Sequence, residues 1–87
     1  MTESSWTVYV LRCGDGSLYT GIARDAQARL AQHREGKGAR YTRGRGPLAL
    51  VYAETVSGRS EALKREVQIK RLSRPEKEQL IADFVGD

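Results

Sequence analysis

Five side chains from separate stretches of this chain make up the parts needed to cut a phosphodiester with one divalent metal ion. They are Tyr9 in Val8-Tyr9-Val10, Tyr19 in Tyr19-Thr20-Gly21, the pair Arg29 and His33, and Glu66. Arg29 and His33 are four apart, which places both on one face of a helix. An arginine fork can grip a phosphate and stabilise charge developing on its oxygens. A histidine, titrating ordinarily at about 6.5, can accept or relay a proton at neutral pH. A tyrosine hydroxyl ionises ordinarily at about 10, so it becomes a useful base where cations lower that value. Glu66 sits amid the apolar residues Ala62, Leu63, Val67 and Ile69 of a helical pattern. A carboxylate there must find a cation, a donor or a metal, because burying it alone is costly. Mg²⁺ suits such a place, since it needs only one or two protein carboxylates plus waters and phosphate oxygens.

Each residue alone has a plainer role. Glu66 would be half of an ion pair with a nearby arginine, His33 and Arg29 would be helix-surface residues, and the tyrosines would pack a strand. The functional reading therefore depends on elements that bring the five together. Residues 6–12 are rich in β-branched and aromatic types and predict a strand. The turn Cys13-Gly14-Asp15-Gly16-Ser17 leads into a second strand over 18–22. A tight antiparallel hairpin centred on Asp15 sets Tyr9 opposite Gly21 and Leu11 opposite Tyr19, so both tyrosines share a face. Gly21, without a side chain, leaves space beside Tyr9. Asp25 is an N-cap for a helix over 26–34 that stops near Gly36. A third strand spans 48–56. A second helix runs from a cap at Ser60 to about Leu72. Ser73-Arg74-Pro75-Glu76 is a capping box opening a third helix to about Val85, with Leu80, Ile81, Phe84 and Val85 as its buried stripe. The expected fold is α+β: a three-stranded antiparallel sheet flanked by helices, in the order ββαβαα.

Residues 34–46 are expected to form a loop carrying four glycines, five basic residues and one acid. Its glycines let backbone approach phosphates, and Lys37, Arg40, Arg43 and Arg45 neutralise them. Tyr41 offers a face for base stacking, and Thr42 completes the nucleic-acid-binding set. The whole chain of 87 residues suits one domain, 1–87, which buries about 60% of its unfolded surface. A formal net charge of +4 favours a polyanionic partner such as DNA. The single cysteine, Cys13, excludes an internal disulfide and a cysteine-rich zinc site, a pattern that suits a reducing cytoplasm. The segment Met1–Ser5 has neither a basic nor an apolar run, so no signal peptide is expected, nor any membrane partner.

In its ordered set of residues, the chain resembles the GIY-YIG nuclease superfamily over about 6–72. Val8-Tyr9-Val10 and Tyr19-Thr20-Gly21 stand at the two naming motifs, with Val-Tyr-Val lacking the first motif's Gly-Ile. Arg29-Leu30-Ala31-Gln32-His33 is similar to the family's Arg-x-x-x-His helix, and Glu66 falls at its metal-binding glutamate. Gly38-Ala39-Arg40-Tyr41-Thr42-Arg43-Gly44-Arg45-Gly46-Pro47 resembles the small, single-domain bacterial UPF0213 group, and the corresponding segment of Slx-type structure-specific nuclease subunits. The resemblance implies metal-dependent phosphodiester hydrolysis with one Mg²⁺ or Mn²⁺. Glu66 would then be the metal ligand, Tyr9 or Tyr19 the base, His33 the proton relay and Arg29 the stabiliser of the pentavalent state. Many family nucleases add a late asparagine, and this chain contains none. The expectation is a DNA endonuclease, structure- or single-strand-selective. Its rivals are a nucleic-acid-binding module without catalysis and a subunit active only on a scaffold protein.

Overall fold

Alternation along Trp6–Arg12 decides the architecture. Val8 and Val10 point to one side of the strand and Tyr9 and Leu11 to the other, as a period of two requires, and all four are at most 2% exposed. A strand apolar on both faces must lie in the centre of a sheet covered on both sides. The computed structural model, which describes residues 5–85, places it there. Strand β1 (Trp6–Arg12) lies between β2 (Leu18–Ala23) and β3 (Ala49–Val56), antiparallel to each. The first face packs on helices α2 (Arg59–Lys70) and α3 (Arg74–Val85) through Ala62, Ile69 and Ile81. The second packs on α1 (Ala26–Arg34) through Leu30, with Leu48 and Cys13 closing the cluster. The order ββαβαα and the α+β class are those expected. No described helix is long and apolar enough to cross a membrane. Of the segment Met1–Ser5, expected to hold no signal peptide, residues 1–4 lie outside the described residues, as does the side chain of Val85.

The hairpin register is also as expected, with Tyr9 paired to Gly21 and Leu11 to Tyr19. Asp25 caps α1 by accepting from the Ala28 amide at 3.1 Å. The capping box of α3 is reciprocal: the Ser73 amide donates to Glu76 at 2.8 Å, and the Glu76 amide donates to Ser73 Oγ at 3.3 Å. Other expectations are corrected. The N-cap of α2 is Gly58, with no side-chain bond, so Ser60 lies inside the first turn and caps nothing; glycine is tolerated there because the position needs only an extended backbone. The helix ends at Lys70 rather than Leu72. Its inward face is Ala62, Glu66 and Ile69, at spacings of four and three, while Leu63 and Val67 turn outward and are 37% and 45% exposed. On α3, Leu80 and Ile81 face inward. Phe84 is exposed yet meets Tyr52 of β3 edge-on at 5.4 Å.

Candidate active site

Tyr9, Tyr19, His33 and the basic loop converge on the second face of the sheet. Tyr9 Oη lies 2.9 Å from His33 Nε2, and both residues are at most 2% exposed. The pairing exists because α1 crosses this face with Leu30 buried beneath it, and His33, three residues further on, falls on the same side. Tyr19 packs against both partners, its ring centroid 6.3 Å from Tyr9 and 5.3 Å from His33. Gly21 makes the space for this. A Cβ at that position would stand 2.7 Å from Tyr9 Oη and 2.9 Å from the Tyr19 ring.

Burial governs the electrostatics here. It pushes the Tyr9 phenol up to about 12, helped by the charges Tyr19 and Glu66 carry when ionised, and the Arg29 guanidinium pulls the other way. Tyr9 is therefore a protonated phenol at neutral pH. Burial, with the Arg29 charge added, holds the His33 imidazole below its ordinary value, so it is neutral and able to accept a proton. The Arg29 guanidinium, half-buried, bonds Gln32 Oε1 at 2.7 Å.

Glu66 stands near enough for its charge to act on Tyr9. Its side chain is 18% exposed and pairs with the exposed Lys70 at 3.3 Å, one turn along α2, rather than with an arginine. Among the described residues no three His, Cys, Asp or Glu side chains form a metal cage. A single, largely buried carboxylate nevertheless fits a hard divalent cation, whose remaining ligands would be water and substrate oxygens.

The basic loop is more ordered than glycine content suggests. Arg40–Thr42 forms a 3₁₀ turn. The Arg45 guanidinium pairs with Asp15 at 2.6 Å and covers the Tyr41 ring at 4.4 Å, while the Gly14 amide donates to the Arg45 carbonyl at 2.6 Å. Asp15 also accepts from the Ser17 hydroxyl at 2.6 Å, and these bonds hold its carboxyl down to about 2. The loop is thus fastened to the β1–β2 turn. Tyr41, 43% exposed, lies 5.9 Å from the Tyr19 ring and extends the aromatic surface outward. Lys37, Arg40 and Arg43 are exposed beside it.

Thr42, grouped with these residues in the sequence, points the other way and is 2% exposed. Its Oγ1 lies 2.9 Å from His33 Nδ1 and donates to the Ala39 carbonyl at 2.9 Å. Gly38 closes over the ring so tightly that a Cβ would overlap the imidazole. Nothing in the sequence pattern announces this pairing, because Thr42 and His33 are nine residues apart and no element period links them.

The chain has relatives in sequence and in fold. Residues 5–79 match the model of the GIY-YIG catalytic domain. A UPF0213 protein of Staphylococcus epidermidis is 53% identical over 76 residues, covering 87% of this chain and 93% of that one. A UPF0213 protein of Natronomonas pharaonis is 51% identical, covering 91% and 93%. The solution NMR structure of a UPF0213 protein from Bacillus halodurans superposes with a TM-score of 0.58 at 47% identity, covering 90% of this chain and 83% of that one. That of a protein from E. faecalis gives 0.64 at 39%, covering 98% and 91%. The fold, the ordered set of residues and this breadth of match together place the protein: the chain belongs to the GIY-YIG catalytic domain family, whose chemistry is that of nucleases.

Proposed function

We propose that this protein is a small DNA endonuclease that hydrolyses phosphodiester bonds with one Mg²⁺ or Mn²⁺, preferring single-stranded or branched DNA. One observation carries the reading: a buried tyrosine hydroxyl 2.9 Å from the imidazole of a buried, neutral histidine. A plain structural pair has no need of an exposed basic rim and a carboxylate beside the phenol. A proton relay at a phosphate has need of both.

A phosphate enters beside the Tyr9 hydroxyl, and Arg29 grips it. Attacking water gives its proton to Tyr9 Oη as the Tyr9 proton passes to His33 Nε2. The new bond runs from water oxygen to phosphorus, and the bond from phosphorus to the 3′ oxygen breaks, leaving a 5′ phosphate and a 3′ hydroxyl that takes its proton from solvent. Moving the phenol proton during attack, rather than before it, avoids forming a free phenolate in a group held at about 12. Arg29 offsets charge on the pentavalent state, and Tyr19 positions water or phosphate. Glu66 would hold the metal ion, which neutralises charge on the phosphate and the leaving oxygen when bound. Lys37, Arg40, Arg43 and Tyr41 hold the strand through phosphates and stacking, with Arg45 stiffening Tyr41 from behind.

The test is incubation of end-labelled single-stranded, duplex and branched DNA with Mg²⁺ or Mn²⁺, with chelator, and with the Glu66→Gln variant. Cleavage that needs the metal and is lost in the variant supports the proposal. Binding without cleavage of any substrate under every condition overturns it in favour of a non-catalytic nucleic-acid-binding module.

A further inference from the structure

Neutral imidazole carries one proton, and a relay from Tyr9 works only if that proton is on Nδ1, leaving Nε2 bare. Two neighbours compete for Nδ1. The Ala39 amide, which can only donate, approaches it at 3.3 Å. Thr42 Oγ1 lies 2.9 Å from it and equally 2.9 Å from the Ala39 carbonyl, a group that can only accept. The threonine hydroxyl has one proton. If it went to Nδ1, Oγ1 and the Ala39 carbonyl oxygen would face each other at 2.9 Å with no hydrogen between them. If it goes to the carbonyl, Nδ1 must donate to Oγ1, and only the longer amide approach is given up. Two short bonds outweigh one short and one long, with two acceptor oxygens left facing each other.

We infer that Thr42 is a positioning residue for the relay: by accepting from Nδ1 and donating to the Ala39 carbonyl, it fixes His33 in the tautomer whose Nε2 takes the Tyr9 proton. The inference rests on the proposed proton relay and deepens it. Thr42 and His33 are each 2% exposed, and Gly38 closes over the imidazole ring. The same chain of bonds stabilises the imidazolium formed during attack, because Nδ1–H already points at an acceptor that is itself polarised by its bond to the carbonyl. The loop thereby acquires a second duty, since the 3₁₀ turn that presents Tyr41 outward also delivers Thr42 inward.

His33 is the single histidine in the chain, so the imidazole can be read without assignment. In ¹⁵N-labelled protein at neutral pH, two-bond ¹⁵N–¹H correlations should show Nδ1 protonated and Nε2 bare. Thr42→Val, nearly the same size, removes the hydroxyl and hands Nδ1 to the Ala39 amide, so the proton should move to Nε2. Single-turnover DNA cleavage should fall about 10–100-fold, the scale of loss when the partner that orients a metal-bound histidine is removed. Thr42→Ser should restore both tautomer and rate. Thr42→Ala makes the same comparison if valine disrupts the fold. A wild-type imidazole protonated on Nε2, or a tautomer unmoved by loss of the hydroxyl, overturns the inference. The expected tautomers in a protein that cleaves no DNA would leave Thr42's hold on His33 standing and remove the nuclease reading instead.

Discussion

At the scale of single residues, the spacing of Arg29 and His33 and the hairpin pairing of Tyr9 with Gly21 are legible in the sequence, because helix and strand periods dictate them. The bond from Tyr9 to His33 spans 24 positions and depends on how α1 crosses the sheet, which no local pattern records. Gly21→Ala places a methyl group 2.7 Å from Tyr9 Oη. It should displace the phenol, cost about 1–3 kcal/mol by overpacking, and reduce single-turnover cleavage without weakening DNA binding, as measured by denaturant melts and fluorescence anisotropy. Glu66→Gln should abolish metal-dependent cleavage while DNA binding persists. The depressed His33 pKa gives a pH dependence of stability. The unfolded chain binds a proton at about 6.5 while the folded imidazole resists it, so the contribution is present above that value and is lost as pH falls through the lower folded one. His33→Gln should flatten that part of the stability curve in chemical denaturation between neutral and mildly acidic pH.

Elements are more legible than the way they pack on one another. Strand β1, the Asp25 cap and the Ser73–Glu76 capping box follow from residue types at fixed offsets. The inward face of α2 does not, since Leu63 and Val67 look like core by type yet turn outward. Helix rotation is set by what packs beneath, here Ala62 and Ile69 on β1. The basic loop is legible in charge but not in shape. Its glycines suggest freedom, whereas Thr42 and Arg45 pin its second half. This divides the arginines into two classes. Replacing Lys37, Arg40 and Arg43 together by alanine should weaken DNA binding and lower the log–log salt slope by about 0.7 for each phosphate of single-stranded DNA left without its cation. Arg45→Ala should act chiefly through loosening of Tyr41 and the β1–β2 turn, and so change the slope less. An equal change of slope in both variants would show that Arg45 touches phosphate directly.

For the molecule as a whole, one small sheet supports two different surfaces. Helices α2 and α3 build the larger core, fastened by the Arg12–Glu78 fork at 2.7 and 3.0 Å between β1 and α3. The opposite face holds the tyrosines, the histidine and the loop, with the basic residues at its rim. With Tyr9 buried between Gly21, Tyr19 and His33, the hydroxyl can be removed while its ring and packing are kept. Single-turnover cleavage by Tyr9→Phe at saturating DNA, beside Tyr19→Phe, therefore tests the central claim most directly. Loss of the relay should slow Tyr9→Phe by about 10²–10⁴-fold, and Tyr19→Phe should lose less, since a positioning bond to a charged group is worth about 1.5–3 kcal/mol. A Tyr9→Phe protein that cleaves at the wild-type rate would contradict the account.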